Sequence, residues 1–184
     1  MSKIWLHALA LLSVLSFANA SGNNDTRPQQ NGSEALTGTL QKMIVENASV
    51  TMQLDVNGLN GSNSLVARPV TLEFTAAANS FFPVLVFDDL LRVSEPGSMA
   101  LIPSRSSRVP ALPAQLSASL GQLVLEKRSS GEGSNFTVRD GNTGFTFFNV
   151  EGHQYSYDAT AQSLKITGGR LIPVSYTHLR AHET

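Results

Sequence analysis

The chain has 184 residues, a formal net charge of −1 and only 15% charged residues. It carries neither a basic surplus nor a long cationic run, which excludes the usual electrostatic signatures of nucleic-acid and membrane-surface binding. It contains no cysteine, so apolar burial rather than disulfide bonds has to hold its domain together.

The N-terminus has the pattern of a signal peptide. Lys3 supplies a positive charge, residues 4–17 are mostly apolar, and Ala18-Asn19-Ala20 offers a small-x-small cleavage site. The apolar run is shorter than the roughly 20 residues that span a bilayer, so an uncleaved anchor is the less favoured alternative. Residues 1–20 are predicted to be removed before Ser21, which leaves no transmembrane helix. The protein is expected to be secreted, periplasmic or at the cell surface.

A polar segment, residues 21–35, follows and is predicted to be a flexible leader. From residue 36 onward, apolar residues recur at every second position, as in strands with one wet face. The clearest alternations are Val50, Met52, Leu54 and Val56, and then Val70, Leu72 and Phe74. Residues 36–172 are therefore predicted to form one all-β, mostly antiparallel, sandwich-like domain.

Two segments depart from this alternation. Phe81 to Leu91 is nearly continuous in apolar residues, which is typical of a strand covered on both faces, with Pro83 near its start. Ala114 to Leu120 is the one segment predicted to form a short helix.

Glycine-containing clusters in the last third indicate turns. Glu151-Gly152 is predicted to be the two-residue loop of a hairpin between strands 145–150 and 153–158. Gly168-Gly169 is predicted to be a turn between two further strands. Asp140 to Gly144 faintly resembles a calcium loop, but it lacks the distal Glu and is interpreted as a turn.

The predicted hairpin would place a group of aromatic and apolar side chains on one face: Phe148, Val150, His153, Tyr155 and Tyr157. Such a cluster can stack on a sugar ring or hold a ligand, so His153, Tyr155 and Tyr157 are the candidate ligand-binding residues. Cross-strand packing is the favoured interpretation, because aromatic pairs commonly stabilise sheets.

No catalytic residue, metal ligand or cofactor is predicted. His153 is the one histidine outside the signal peptide and the C-terminal tail, and it has neither a second His nor a Cys with which to complete a zinc site. No G-x-S-x-G motif occurs before the tail. Asp88 and Asp89 would point to opposite faces of a strand, which disfavours a glycosidase-like carboxylate pair.

The last eleven residues, Val174 to Thr184, resemble the translation of a transposase adapter used to build sequencing libraries. Pro173 fits this frame, because the adapter requires the preceding codon to end in CT and CCT encodes proline. Residues 173–184 are therefore interpreted as an adapter-derived tail. The β-rich domain is accordingly expected to be truncated at its C-terminus.

Two short runs, residues 43–47 and 166–171, resemble stretches of uncharacterised exported bacterial proteins, and this resemblance implies export without naming an activity. The sequence thus predicts an exported non-enzymatic β module with a binding, adhesion or structural role and a possible extracellular ligand. The alternative is the N-terminal part of a secreted hydrolase whose catalytic residues lie in missing downstream sequence. A calcium-dependent sugar-binding module is a third, weaker possibility.

Overall fold

The computed structural model describes residues 11–19, 38–61, 66–76, 83–104, 112–129 and 135–174. Within them the chain is mostly β-strand, which confirms the predicted all-β, sandwich-like class. The strands are β1 Leu11–Asn19, β2 Leu40–Asp55, β3 Pro69–Ala76, β4 Pro83–Phe87, β5 Leu90–Ser94, β6 Gly97–Pro103, β7 Leu123–Lys127, β8 Phe136–Asp140, β9 Thr146–Glu151, β10 Gln154–Asp158 and β11 Ser163–Pro173. The helices are α1 Val56–Leu59 and α2 Ala114–Ser119, the latter continuing into a 3₁₀ turn at Leu120–Gln122.

The strands form two antiparallel layers that share β6 and β11. β6 pairs with β7 through its first half and with β3 through its second half. β11 pairs with β1 and β10 through its first half and with β9 through its second half. β1 pairs with β2 as well as with β11, so it joins the two ends of the strand path β11-β9-β8-β7-β6-β3-β2. β5 pairs with β4 and β10 pairs with β11, each on one side within the described residues.

The predicted alternation in β2 and β3 is confirmed. The residues of β2 and its C-terminal extension that were predicted to face the core are at most 1% exposed: Val50, Met52, Leu54 and Val56. On β3, Leu72 and Phe74 are equally buried, while Val70 is half-buried. β2 ends at Asp55, whose carboxylate caps α1 by accepting a hydrogen bond from the Asn57 N–H. The short helix predicted from Ala114 is also present, as α2.

The apolar run from Phe81 to Leu91 is a hairpin rather than one strand, so that prediction is wrong; residues 81 and 82 lie outside the described part. β4 and β5 are joined by Asp88 and Asp89, which have φ values of 49° and 60°. Two consecutive positive φ angles define the two-residue turn that best fits the twist of a hairpin. Asp88 also holds the residue before β2 in place, because its carboxylate accepts a hydrogen bond from the Thr39 N–H at 2.9 Å.

The predicted hairpin at Glu151-Gly152 is also wrong. β9 and β10 follow one another along the same edge of β11, with Val150 opposite Leu171 and Tyr155 opposite Ile166. The chain reverses instead after Asp158, where β10 leads into β11. β11 itself runs without interruption through Gly168 and Gly169, so the predicted turn at those glycines is absent as well.

The glycines mark a corner at which both strands pass from one layer to the other. Gly152 and Gly168 have φ values of +70° and +74°, a region that side-chain-bearing residues rarely adopt. Ile166 before the corner and Leu171 after it are both buried, although they are five residues apart. In a regular strand they would lie on opposite faces. The corner therefore reverses the alternation and keeps both side chains in the core.

Replacing Gly168 with alanine is expected to lower the free energy of unfolding by about 1–2 kcal/mol, because the added Cβ is strained at positive φ. Steric overlap contributes little, since the nearest heavy atom to that Cβ is the Gly152 carbonyl oxygen at 3.6 Å. Urea denaturation measures the change. Gly121→Ala is the matched control, because a Cβ there meets nothing within 4 Å and its φ is not positive. Equal stability of the two variants would contradict a strained corner.

Candidate ligand-binding site

The corner at Gly152 determines where the three predicted site residues lie. His153 immediately follows the corner, and Tyr155 and Tyr157 lie on β10, opposite Ile166 and Leu164 of β11. Because residues two apart on a strand share a face, the two tyrosines project in the same direction. The shared face was predicted from the sequence, although the hairpin used to predict it does not exist.

His153, the first of the three, packs against neighbouring aromatic rings. Its ring meets the ring of Phe136 edge-on at a centroid distance of 4.9 Å and that of Tyr155 at 5.1 Å. Its Nδ1 atom is buried without a hydrogen-bond partner. Burial lowers the pKa of His153, and the nearby Lys127 ammonium lowers it further. The imidazole is therefore neutral near pH 7 and serves as a packing group.

Lys127 is itself an unusual neighbour, since its residue surface is only 8% exposed. Its Nζ atom lies 5.6 Å from the centroid of the Phe136 ring and donates a hydrogen bond to the Arg128 carbonyl oxygen at 3.1 Å. Burial lowers the pKa of Lys127. This cluster of Lys127, Phe136 and His153 holds together the ends of β7, β8 and β10.

The two tyrosines are each anchored to the framework through the hydroxyl group. The hydroxyls of Tyr155 and Ser94 are 3.1 Å apart and share a hydrogen bond that links β10 to β5. The hydroxyl of Tyr157 donates to the Sδ atom of Met43 on β2 at 3.4 Å. Tyr155 nevertheless keeps 37% of its surface exposed, and Tyr157 is half-buried. Both rings are therefore held in place while part of their surface stays open to solvent.

A cleft of about 330 Å³ lies between β5 and β10. Tyr155 and Tyr157 form one wall, and residues 90–92 of β5 form the other. Asp89 and Arg92 supply a carboxylate and a guanidinium, and the Arg92 guanidinium carbon lies 5.4 Å above the Phe87 ring. The cleft thus combines aromatic surface with hydrogen-bonding groups of both charges.

The ionisation of the tyrosines limits what the cleft can do chemically. Burial raises the pKa of Tyr157, and the carboxylates of Asp89 and Asp158 raise it further. Burial also raises the pKa of Tyr155, an effect that the Ser94 hydrogen bond partly offsets. Both phenols therefore stay protonated near neutral pH. They offer ring faces and hydroxyl groups to a ligand, and neither is poised as a base or a nucleophile.

Sequence reasoning missed Asp89, Arg92 and Ser94 as members of this site. It placed Asp89 within a single buried strand and Arg92 and Ser94 after that strand. The β4–β5 hairpin instead brings all three opposite β10. The signal was the acidic pair Asp88-Asp89 in the middle of the run, with the apolar PVLVF of β4 before it and the LLRVS of β5 after it. Aspartate tolerates positive φ better than most residues, so Asp88-Asp89 is compatible with such a turn.

A second polar cluster surrounds Asp140, which is only 2% exposed. One carboxylate oxygen accepts hydrogen bonds from the backbone N–H groups of Asn142 and Thr143, both at 2.8 Å. The other accepts from Ser119 Oγ at 2.5 Å and from Gln122 Nε2 at 3.1 Å. The Asp140–Gly144 segment is thus a turn, as predicted, and the structure shows that the Asp140 carboxylate organises it.

Stability is expected to fall in acid because of Asp140. The hydrogen bond from Ser119, followed by that from the Thr143 backbone, lowers the pKa of Asp140 well below its ordinary value of 3.8. A depressed carboxylate pKa stabilises the fold above the ordinary pKa, and this contribution is lost as the pH falls below it. Thermal midpoints measured between about pH 5 and about pH 2 should drop more for the wild type than for Asp140→Asn. Parallel profiles for the wild type and Asp140→Asn would contradict this assignment.

Among the described residues, no group of three or more His, Cys, Asp or Glu side chains is arranged to bind a metal ion. In that same part of the chain, no helix combines the length and apolar character needed to cross a membrane.

Comparison with protein-family models, with curated proteins and with solved structures found no match. The function of this chain has therefore to be inferred from the geometry of its own cleft.

Proposed function

We propose that this chain is an exported, non-enzymatic β module that binds a small extracellular ligand in the cleft between β5 and β10. The observation that carries the proposal is the pairing of two hydroxyl-anchored tyrosines with Asp89 and Arg92 around one cleft. Anchored rings bind a ligand at little cost in conformational entropy, because their rotamers are already fixed.

The chemistry of the lining favours a neutral, hydroxylated ligand such as a saccharide. A sugar ring presents an apolar C–H face, which suits the partly exposed ring of Tyr155. Its hydroxyl groups can donate to the Asp89 carboxylate and accept from the Arg92 guanidinium. Because the cleft has one group of each charge, a strongly charged ligand would meet repulsion from one of them.

Export is the part of the proposal that the N-terminal sequence supports. The segment before Ser21 has the charge, apolar core and small-residue cleavage site of a signal peptide. A cysteine-free domain tolerates both oxidising and reducing surroundings, so its stability does not depend on the compartment.

Calorimetric titration with a panel of neutral mono- and oligosaccharides tests the binding proposal. Tyr155→Ala and Arg92→Ala should each weaken binding by about tenfold or more, which corresponds to the loss of about 1.4 kcal/mol. Arg170→Ala is the matched control, since Arg170 is an exposed arginine that pairs with Glu151 away from the cleft. Failure of every sugar to bind, or equal effects of Arg92→Ala and Arg170→Ala, would refute the saccharide site.

Thermal unfolding separates lost binding from lost folding. Tyr157→Ala removes a half-buried ring that contacts the core, so it should lower the midpoint as well as the affinity. Tyr157→Phe keeps the ring and removes only the hydroxyl bonded to Met43. A Tyr157→Phe protein that binds sugar while the folded Tyr157→Ala protein does not would assign the affinity to the aromatic ring.

A further inference from the structure

His153 connects a buried lysine to one wall of the cleft. It follows the corner at Gly152 and immediately precedes β10. Its ring lies edge-on against Tyr155, which lines the cleft, at a centroid distance of 5.1 Å. It also lies edge-on against Phe136 at 4.9 Å, and the Lys127 Nζ atom lies 5.6 Å from the centroid of that same ring. A change in the charge of His153 therefore acts on a residue of the proposed site.

The surroundings of His153 favour its neutral form. Its Nδ1 atom is buried without a hydrogen-bond partner. A protonated imidazole donates from both ring nitrogens, so protonation would leave a buried N–H group unsatisfied. Burial, and then the nearby Lys127 ammonium, lower the pKa of His153 below its ordinary value of 6.5. The protonated ring is therefore unfavourable where the neutral ring packs.

The other groups around the cluster leave Lys127 as the charge that acts on His153. The Tyr155 phenol is uncharged near neutral pH, because burial raises its pKa. Phe136 of β8 carries no charge at all. Charged side chains nearby, within the described part of the chain, pair with one another: Glu126 with Arg128 and Arg139, and Glu151 with Arg170.

We propose that His153 is an acid-sensitive positioning residue: its neutral ring supports Tyr155, and its protonation expels the ring from the cluster and weakens ligand binding in the cleft. The inference rests on the proposed ligand site and names how that site is regulated. Because His153 lies just outside β10, its ring can turn outward without breaking a strand pair. Tyr155 then loses a packing partner on a strand that, in the described residues, pairs only with β11. The ligand is held near neutral pH and released in acid.

Acid should open the cluster within a definite pH range. An exposed imidazole takes up its proton near the ordinary value of 6.5, whereas the packed ring resists until a lower pH. The closed cluster therefore has its full stability above pH 6.5 and loses it as the pH falls from there toward the depressed pKa of His153. The contribution of Asp140 is lost only around and below its ordinary value of 3.8, so the two effects are separable.

Saccharide titration of the full chain between about pH 7.5 and about pH 5 tests the effect on binding. The affinity of the wild type should fall by up to about tenfold for each pH unit below the pKa of His153. His153→Phe keeps an aromatic ring that cannot be protonated, so its pH profile should be flat over this range. Lys127→Met removes the repelling charge, so the fall should begin at a higher pH. Lys165→Met, at an exposed lysine of β11, is the matched control and should keep the wild-type profile.

Two further measurements need no ligand. NMR titration follows the imidazole of His153, whose signals are identified among those of the four histidines by comparison with His153→Phe. Hydrogen exchange, corrected for the intrinsic rate at each pH, follows the backbone N–H groups of β10. His153 should titrate below pH 6.5, and protection of β10 should fall with the same midpoint.

Three results would overturn the inference: titration of His153 at or above pH 6.5, unchanged protection of β10, or the same acid profile in His153→Phe as in the wild type. Opening of β10 in a protein that binds no sugar at any pH would refute only the proposed ligand site. Sugar binding of equal strength at both ends of the pH range would refute only the role of His153.

Discussion

Replacing Phe136 with alanine is expected to lower the free energy of unfolding by about 3–5 kcal/mol, the usual range for a large aromatic in a core. Phe136 is fully buried at the start of β8, and its ring contacts His153 and lies under Lys127. Its removal leaves a cavity and takes the cation–π partner from a buried lysine. Urea denaturation of purified protein measures the loss.

Phe145→Ala is the matched control for this substitution. Phe145 is half-buried and meets Phe147 edge-on at 5.0 Å, so its truncation removes less contact and opens a site that water can fill. We expect a clearly smaller loss of stability. Equal losses, or a Phe136→Ala loss below about 1 kcal/mol, would show that the core is not organised around β8.

The second large effect concerns the corner in β11. Ile166→Ala and Leu171→Ala are each expected to lower the free energy of unfolding by about 2–5 kcal/mol, because both side chains lie in the core. Lys165→Ala and Arg170→Ala, at the adjacent exposed positions, should change it by no more than about 0.5 kcal/mol. Urea denaturation of the four variants measures whether the two core substitutions cost more stability than the two surface substitutions.

This set of four variants tests the reversal of alternation directly. A strand without a corner would bury either residue 166 or residue 171, but not both, because five positions separate them. A strong effect at only one of the two, or a strong effect at Arg170, would rule out the path that β9, β10 and β11 take through the glycines.

Much of the fold could be predicted from the sequence because alternation is a local property. Each strand with one wet face shows it, as β2 and β3 do, and the Asp140 turn is defined by groups within a few residues. Two of the three errors occurred at Glu151-Gly152 and Gly168-Gly169, where glycine permits positive φ in a hairpin loop and in a corner alike. Whether a glycine pair forms a hairpin loop or a corner depends on which distant strands its flanking strands pair with. The residues around the glycines do not reveal that pairing.

The candidate site could likewise be predicted only where it depends on local strand periodicity. Tyr155 and Tyr157 share a face by strand periodicity alone, so their proximity could be predicted. Asp89 and Arg92 reach the cleft only because the sheet curls until β5 approaches β10. These two strands lie about sixty positions apart along the chain. His153 was grouped with the tyrosines, and its ring does contact Tyr155, but it also packs on Phe136 and does not line the cleft.

Within the described residues, β5 and β10 each pair with a neighbouring strand on one side only, and this has a consequence for solubility. An unpaired strand edge is a template on which another chain can add, and such addition leads to aggregation. Natural sheets discourage it with charged side chains on the edge strand, and here β5 carries the exposed Arg92 while β10 ends in the exposed Asp158. The curl of the sheet also turns the two edges toward each other, so a molecule that fills the space between them would shield both from neighbouring chains.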